Sequence, residues 1–182
     1  MLPNQNTIQN TANMKLSFAT EINQQPNYFL EKIWKGLLQG PGSLEESYQN
    51  YQRRYLGKFG QCWDGDTFGE FLEPKLHTIR KDAANEWSAG LDIQLVVNIK
   101  TPDEFQFAPT LKCQSVQRIQ IDYSNLINAA GPAVFIDYQL IDQETLLRLA
   151  INDGFPTIAD FFAYFNEEFT GNLIHWTPIS YT

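Results

Sequence analysis

The segment EPKLHTIRKDAANEWSAG, residues 73–90, concentrates basic side chains in a chain that is otherwise acidic. Pro74 opens it, and a Trp-Ser-Ala-Gly turn closes it before an apolar, β-branched run. If the central residues form a strand, His77 shares one face with Ile79, and Thr78 shares the other face with Arg80. We therefore expect the fold to be organised around this segment and a polar site to lie beside it.

The position of Lys75 decides whether such a site can form. A continuous strand would place Lys75 and Thr78 on opposite faces, because side chains alternate with a period of two. The two side chains converge only if Lys75 lies in a turn before the strand, which Pro74 favours. The ligand-binding residues predicted on this basis are Lys75, His77, Thr78, Arg80 and Trp87. The alternative is a solvated loop in which Thr78 is a strand-surface residue.

Length and composition indicate one globular domain. The chain has 182 residues, of which 43% are hydrophobic and 14% aromatic, enough to build a sizeable core. It contains no run of about 20 apolar residues, so we expect no membrane span. Two cysteines make no disulfide framework, and the first residues lack the basic and apolar regions of a signal peptide. We expect a reduced, cytoplasmic protein.

Charge is distributed unevenly along the chain, whose net charge is -8. Residues 1–91 carry 9 Lys and Arg against 10 Asp and Glu, whereas residues 92–182 carry 4 against 11. Non-specific nucleic-acid binding draws on basic charge spread along the phosphates, which the second half cannot supply. Any nucleic-acid contact should therefore be local and centred on the first half, and a small ligand in a pocket fits the charge equally well.

Sequence patterns before the central segment predict a flexible tail, a strand and two helices. Residues 1–13 have no hydrophobic period, and residues 15–22 alternate like a half-buried strand. A helix should begin after an Asn27 cap and end at Gly40, because its apolar residues recur at helical spacing. The capping box that begins at Ser43 predicts a second helix, over residues 44–56.

Patterns after the central segment predict strands mixed with short helices. Helices should follow the caps Asp142 and Thr157, and the second should carry four phenylalanines as far as Phe169. The predicted strands are residues 92–99, residues 111–121 with a break near Val116, residues 133–141 and residues 172–181. Such a mixture without βαβ regularity favours a small, mixed, mainly antiparallel β-barrel of the α+β class with flanking helices.

Several segments together carry a resemblance to a known family. They are KLHTIR at residues 75–80, the Trp-Ser-Ala-Gly turn, DGFPTIADFFAYF at residues 153–165 and GNLIHW at residues 171–176. In this arrangement the chain resembles the ASCH domain, a branch of the PUA-like β-barrels, in the versions found in phages and bacteria. The resemblance covers most of residues 15–181, with an insertion at about residues 40–72. It implies a barrel with a cleft beside the motif, and a partner that is a nucleotide, a modified nucleoside or RNA.

One branch of this family, the acetylcytidine amidohydrolases, is catalytic. There the lysine and the threonine of the motif act together with a glutamate on a later strand. By resemblance Lys75 would be the base and Thr78 the nucleophile. The strand expected to bring the glutamate is residues 111–121, which holds Lys112 near that position and no carboxylate before Asp122. This departure favours a binding module over the hydrolase.

Two further functional hypotheses concern metals and protein partners. Cys62, Cys113, His77 and His175 could in number form a zinc quartet, but they do not occur as close pairs, so we expect no metal and no cofactor. The insertion carries three tyrosines and Trp63, which could form a protein-binding surface of a phage or mobile-element accessory protein. The sequence does not indicate the oligomeric state.

Overall fold

The computed structural model describes residues 13–63, 71–126 and 131–181 of the chain. Within these residues four α-helices are present: α1 Phe29–Gln39, α2 Glu45–Phe59, α3 Gln143–Asn152 and α4 Ile158–Tyr164. The strands are β1 Asn13–Ser17, β2 Glu21–Ile22, β3 Gln25–Pro26, β4 His77–Arg80, β5 Asp92–Val97, β6 Phe105–Gln106, β7 Leu111–Lys112, β8 Ser115–Leu126, β9 Pro132–Ile136, β10 Gln139–Leu140 and β11 Phe169–His175.

The strands form two main sheets and one small hairpin. In the first sheet β5 pairs with β1 in parallel and with β6 and β7 in antiparallel fashion. The second sheet is antiparallel, in the order β10-β9-β8-β11-β4, and β2 pairs with β3. The α+β class is therefore confirmed. None of the sheets in the described part of the chain closes on itself through strand pairing.

The two main sheets meet along two edges. At one edge the chain leaves β7 and enters β8 directly: the backbone N–H of Cys113 donates to Leu91 O at 2.9 Å, and that of Gln114 donates to His175 O at 2.7 Å. At the other edge the Arg80 guanidinium of β4 donates to Ser17 O of β1 at 2.6 Å. Residues 113–114, which connect β7 to β8, thus join the sheets on one side, and a side-chain contact joins them on the other.

In each of the first two helices the cap position lies one residue after the predicted cap. At α1 the Asn27 carboxamide accepts from the Phe29 N–H at 2.9 Å, but the cap position itself is Tyr28, in a left-handed conformation. At α2 the predicted capping box does not form: the residue before the helix is Leu44, and it makes no side-chain cap hydrogen bond. Packing of its tyrosines on Trp34, rather than a cap, accompanies the start of this helix.

The predicted caps of the last two helices are confirmed. The Asp142 carboxylate accepts from the Thr145 N–H at 2.8 Å, and the Thr157 hydroxyl accepts from the Asp160 N–H at 3.1 Å. The second helix is shorter than predicted, because α4 ends at Tyr164 and Phe169 already begins β11. The phenylalanine spacing was misleading because both a helix and the following strand direct these rings into the same core.

Four predicted strands are also divided or displaced. The strand predicted at residues 15–22 ends at Ser17 and is followed by the β2–β3 hairpin. The break expected near Val116 lies at residues 113–114, where the chain changes sheets, and the pairing of β8 with β9 shifts register between Asp122 and Leu126. The strand at residues 133–141 turns at Asp137–Tyr138, both with positive φ, and β11 begins at Phe169 rather than at residue 172.

Two hydrophobic clusters lie on opposite faces of β4 and β11. The first combines β1 and β5 with α1, α2, Ile174 and Trp176. The second combines Ile79 and Leu173 with β8, β9, α3 and α4. Because both faces are covered, the polar side chains of Lys75, His77 and Thr78 are buried, whereas Arg80 at the end of β4 is half-buried.

Two predictions lie partly outside the described ranges. They are the flexible tail, at residues 1–12, and the insertion, at residues 64–70. In the described ranges, no helix combines the length and the apolar character needed to cross a membrane.

Candidate functional site

Lys75 is a fully buried ammonium immediately before β4. Its side chain is 1% exposed, and its Nζ lies 2.7 Å from Asp153 Oδ1 and also donates to the Asp153 carbonyl. The backbone N–H of Lys75 donates to Lys32 O at 3.0 Å, outside any sheet. The prediction that Lys75 precedes the strand is confirmed.

Asp153 supplies the carboxylate that the sequence analysis could not place. It follows α3, and its Oδ1 also accepts from the Ile79 N–H at 3.2 Å. The strand expected to hold an acidic partner instead carries Lys112, which pairs with Asp92 at 2.6 Å. Sequence reasoning missed Asp153 because it appeared only as the helix-ending Asp-Gly. The signal that could have found it is the acidic residue in the DGF segment, which the resemblance already included.

The Lys75 side chain also caps the C-terminus of α3. The last carbonyls of a helix lack intrahelical donors and carry partial negative charge. Here the Asn152 carbonyl accepts from the Leu76 N–H at 2.8 Å, the Asp153 carbonyl from Lys75, and the Gly154 carbonyl from Lys32 Nζ at 2.6 Å. Two lysines therefore hold the turn between α3 and α4 in place.

Burial and neighbouring charges set the protonation of this pair. Burial lowers the pKa of Lys75 to about 8, with Asp153 opposing the shift and Arg80 and Lys32 adding to it. Burial alone would raise the pKa of Asp153, but Lys75 and His77 outweigh it and hold the pKa below its usual value. At neutral pH both groups are therefore ionised. Lys75 nevertheless loses its proton more easily than an exposed lysine would.

His77 belongs to a second buried polar group. Its Nε2 lies 2.8 Å from Tyr181 Oη, which also accepts from Asn152 Nδ2 at 2.8 Å. Its Nδ1 is 3.6 Å from Asp153 Oδ1, longer than a hydrogen bond. The ring of His175 lies 5.3 Å from that of His77, and both of its nitrogens are buried without a hydrogen-bond partner.

Acid should destabilise the protein through these two histidines. Burial lowers the pKa of His175 to about 3 and also lowers that of His77. Because the unfolded chain binds these protons from about pH 6.5 downward and the folded chain does not, stability is lost as pH falls below that value. We expect His175 alone to account for a loss of about 2 kcal/mol between pH 6.5 and pH 5.

Urea unfolding at the two pH values, on the protein and on His175→Gln, measures this loss. The variant should be less sensitive to acid, because it keeps only the contribution of His77. An equal loss in both proteins would show that His175 is not the titrating group.

Thr78, Arg80 and Trp87 are placed differently from Lys75. Thr78 is 2% exposed and pairs with Ile174 on the face toward the first cluster. The Arg80 guanidinium stacks 5.1 Å from the centre of the Phe18 ring; burial lowers its pKa, and Asp153 opposes that shift. Trp87 packs half-buried against the first cluster, and its backbone N–H donates to Asp82 Oδ2 at 3.2 Å. The structure thus brings Lys75, His77 and Arg80 together around Asp153, whereas Trp87 belongs to a separate packing contact.

Two hollows lie beside this buried group. The larger, of about 460 Å³, is here named the α4 groove; its lining includes Tyr28, Phe29, Lys32, Gly154, Phe155, Asp160, Ala163 and Tyr164. The smaller, of about 310 Å³, is here named the Arg80 hollow; its lining includes Arg80, Lys81, Tyr164, Asn166, Glu167 and Phe169. Lys75 lies behind the wall of the groove, since a Cβ at Gly154 would be 3.3 Å from its Cδ.

The remaining candidates for function are a metal site and the insertion. Within residues 13–63, 71–126 and 131–181, no three His, Cys, Asp or Glu side chains are grouped so that they could hold a metal ion. The aromatic residues proposed as a protein-binding surface point inward: Tyr55 and Trp63 are buried, and Tyr48 and Tyr51 pack on Trp34. These rings are therefore not an exposed patch.

Comparisons of the chain with protein-family models, with curated proteins and with solved structures gave no match. The features of the molecule that bear on function are the buried Lys75–Asp153 pair and the two hollows beside it.

Proposed function

We propose that this protein is a binding module of ASCH/PUA-like type, which takes a nucleotide, a modified nucleoside or a short RNA in the α4 groove. The Lys75–Arg80 motif borders the groove rather than lining it: Lys75 and the Gly154 turn form its rear wall. In this proposal Lys75, His77 and Thr78 do not touch the ligand. They support the rear wall of the groove, and Lys75 places a positive charge behind it. Lys32 and the aromatic lining make the direct contacts.

The arrangement of strands supports a PUA-like barrel. In spatial order the strands β1, β5, β7, β8, β11 and β4 follow one another. Backbone pairing links them, except that β7 and β8 are joined through residues 113–114. The contact between Arg80 and Ser17 then links the last of these strands to the first. Strands that pass from one sheet to another are the usual way in which small barrels turn their corners.

The chemistry of the α4 groove is the observation that carries the proposal. Its volume of about 460 Å³ lies within the range of small-molecule sites, about 300–1,000 Å³. Tyr164, which is 48% exposed, and the half-buried Tyr28 offer aromatic faces, and Lys32 offers an ammonium that is half-buried by the groove wall. Proteins bind unpaired bases by stacking them on aromatic rings and by placing a few polar groups at their edges.

Filling the groove should abolish ligand binding without unfolding the protein. Ala163 is exposed on α4 and lines the groove, so Ala163→Trp places a large ring where the ligand would lie. Ala84→Trp, on an exposed turn outside the groove, is the matched control. We expect affinity for nucleosides, nucleotides and short RNA to fall at least about tenfold in the first variant, the equivalent of about 1.4 kcal/mol.

The measurement is calorimetric titration at two salt concentrations, with thermal unfolding to confirm that both variants are folded. Saturable binding that survives Ala163→Trp would place the ligand elsewhere. The lack of saturable binding to any of these ligands would refute the proposed function itself.

A second candidate, an amidohydrolase acting on an acylated nucleoside, is favoured by one specific observation. Asp153 provides a carboxylate 2.7 Å from Lys75, and burial lowers the lysine pKa to about 8. In this mechanism Lys75 would first have to be in its neutral amine form, which its lowered pKa favours. The amine would then take the proton of the Thr78 hydroxyl as the hydroxyl oxygen adds to the acyl carbonyl. The nucleobase amine would leave with a proton, and water would then release the acid from the acyl-threonine.

Incubation with acetylcytidine tests this second candidate. Release of cytidine that disappears in Thr78→Ala and is retained in part by Thr78→Ser would support it. Release that persists in Thr78→Ala would exclude this threonine as the nucleophile.

A further inference from the structure

We infer that the ligand carries a terminal phosphate, with its base in the α4 groove and its phosphate in the adjoining Arg80 hollow. This inference rests on the proposed function and adds the charge and the polarity of the ligand. It selects a nucleoside monophosphate, or the phosphorylated end of a strand, over a free nucleoside and over an internal stretch of RNA.

The first observation is an excess of positive charge in the Arg80 hollow. On the groove side Glu31 and Asp160 act on Lys32, and the buried Lys75 is paired with Asp153, so these groups leave no positive excess. The Arg80 hollow itself is lined by two cations, Arg80 and Lys81, and by one carboxylate, Glu167. This leaves one positive charge in excess there, in a protein whose total charge is -8. Such a local excess attracts an anion.

The second observation is that the two hollows share a wall. Tyr164 lines both and is 48% exposed, so a ligand lying against its ring reaches both hollows. Beyond Tyr164 the hollow offers Arg80, the exposed Lys81 and the Asn166 amide. The Lys81 ammonium lies 5.9 Å from the centre of the Phe169 ring, at the rim of this hollow. A base stacked in the groove would thus place its phosphate among these donors.

The third observation concerns the opposite end of the groove. There Pro26, Asn27, Tyr28 and Phe29 are shared with a hollow of about 200 Å³ whose lining includes Glu21 and Glu31. The Glu21 carboxylate at this end would repel a continuing phosphate backbone. The track is therefore basic at one end and acidic at the other. A ligand with one charged end fits this polarity, whereas a strand that is charged along its whole length does not.

The test compares three probes on the same protein: a nucleoside, its 5′-monophosphate, and a circular RNA of the same base composition that has no terminal phosphate. Calorimetry should show the monophosphate binding at least about tenfold more tightly than the nucleoside at low salt. High salt should reduce this advantage. The circular RNA should bind no better than the nucleoside.

Three substitutions locate the phosphate. Lys81→Gln should weaken monophosphate binding about threefold and leave nucleoside binding unchanged, because an ion pair between exposed groups contributes little. Lys100→Gln, an exposed lysine on the loop after β5, makes the same change in net charge and should have no effect. Glu167→Gln removes a carboxylate from the Arg80 hollow and should strengthen monophosphate binding.

Equal affinity for the nucleoside and the monophosphate would overturn this inference while leaving the groove as the base site. Equal effects of Lys81→Gln and Lys100→Gln would overturn it in the same way. If none of the three probes binds, the proposed function and this inference both fail.

Discussion

Replacing Asp153 by alanine should lower the free energy of unfolding by about 3–5 kcal/mol, because it leaves the Lys75 charge buried without a counter-charge. Lys75 is 1% exposed, and its side chain lies against the Phe29 ring and the Gly154 turn. The substitution also removes the acceptor of the Ile79 N–H. Urea unfolding of both proteins at pH 7 gives the difference directly.

Two comparisons separate this effect from the loss of an ordinary ion pair. Asp103→Ala removes a carboxylate that is 71% exposed and 4.0 Å from Lys58, so it should change stability by less than about 1 kcal/mol. The double variant Lys75→Met with Asp153→Asn removes both charges and should recover most of the loss, since buried pairs are often replaceable by neutral groups. A loss below about 1 kcal/mol in Asp153→Ala would mean that Lys75 is not held as described.

Gly154→Ala should cost about 3 kcal/mol, the second large effect. Gly154 has a φ of 99°, which side-chain-bearing residues rarely adopt. An added Cβ would also lie 2.8 Å from the Phe29 ring and 3.3 Å from Lys75 Cδ. Backbone strain of about 1–2 kcal/mol and overpacking of about 1–3 kcal/mol therefore act together.

Gly42→Ala is the matched control for this prediction. Its φ of 109° is close to that of Gly154, but nothing lies within 4 Å of the position of its Cβ. The control should therefore lose only the conformational part, and the difference between the two variants measures the packing against Phe29 and Lys75. Equal losses of stability in the two variants would indicate that Phe29 and Lys75 move aside for the added methyl group at little cost. Thermal or urea unfolding measures both.

The Lys75–Asp153 pair and the Gly154 turn together form one part of the structure, the rear wall of the α4 groove. The lysine closes the end of α3, and the glycine lets α3 and α4 approach Phe29 closely enough to form the rear wall of the α4 groove. If the groove binds a ligand, conservative substitutions at Lys75 should change the free energy of unfolding more than they change the affinity for the ligand. This order distinguishes a positioning residue from one that touches the ligand.

The sequence was a good guide wherever a local signal was sufficient. Asp142 and Thr157 were correctly identified as helix caps, since a cap depends on hydrogen bonds within one turn. The α+β class and the position of Lys75 before its strand were also predictable, from the mixed periodicity and from Pro74. Local signals failed at α2, where Ser43 does not cap, and after Tyr164, where Phe169 belongs to a strand.

Three-dimensional contact alone decided the partner of Lys75. The lysine and Asp153 are separated by 78 residues, and they meet because the Leu76 N–H reaches the last carbonyls of α3. The same approach buries His77. Trp87, which was predicted to bind the ligand, packs half-buried against the first cluster. By itself the sequence determined which side chains could serve a polar site and where helices could start. Which of them became buried, and which carboxylate faced the lysine, depended on the packing of distant segments, because burial and charge pairing are properties of the assembled core.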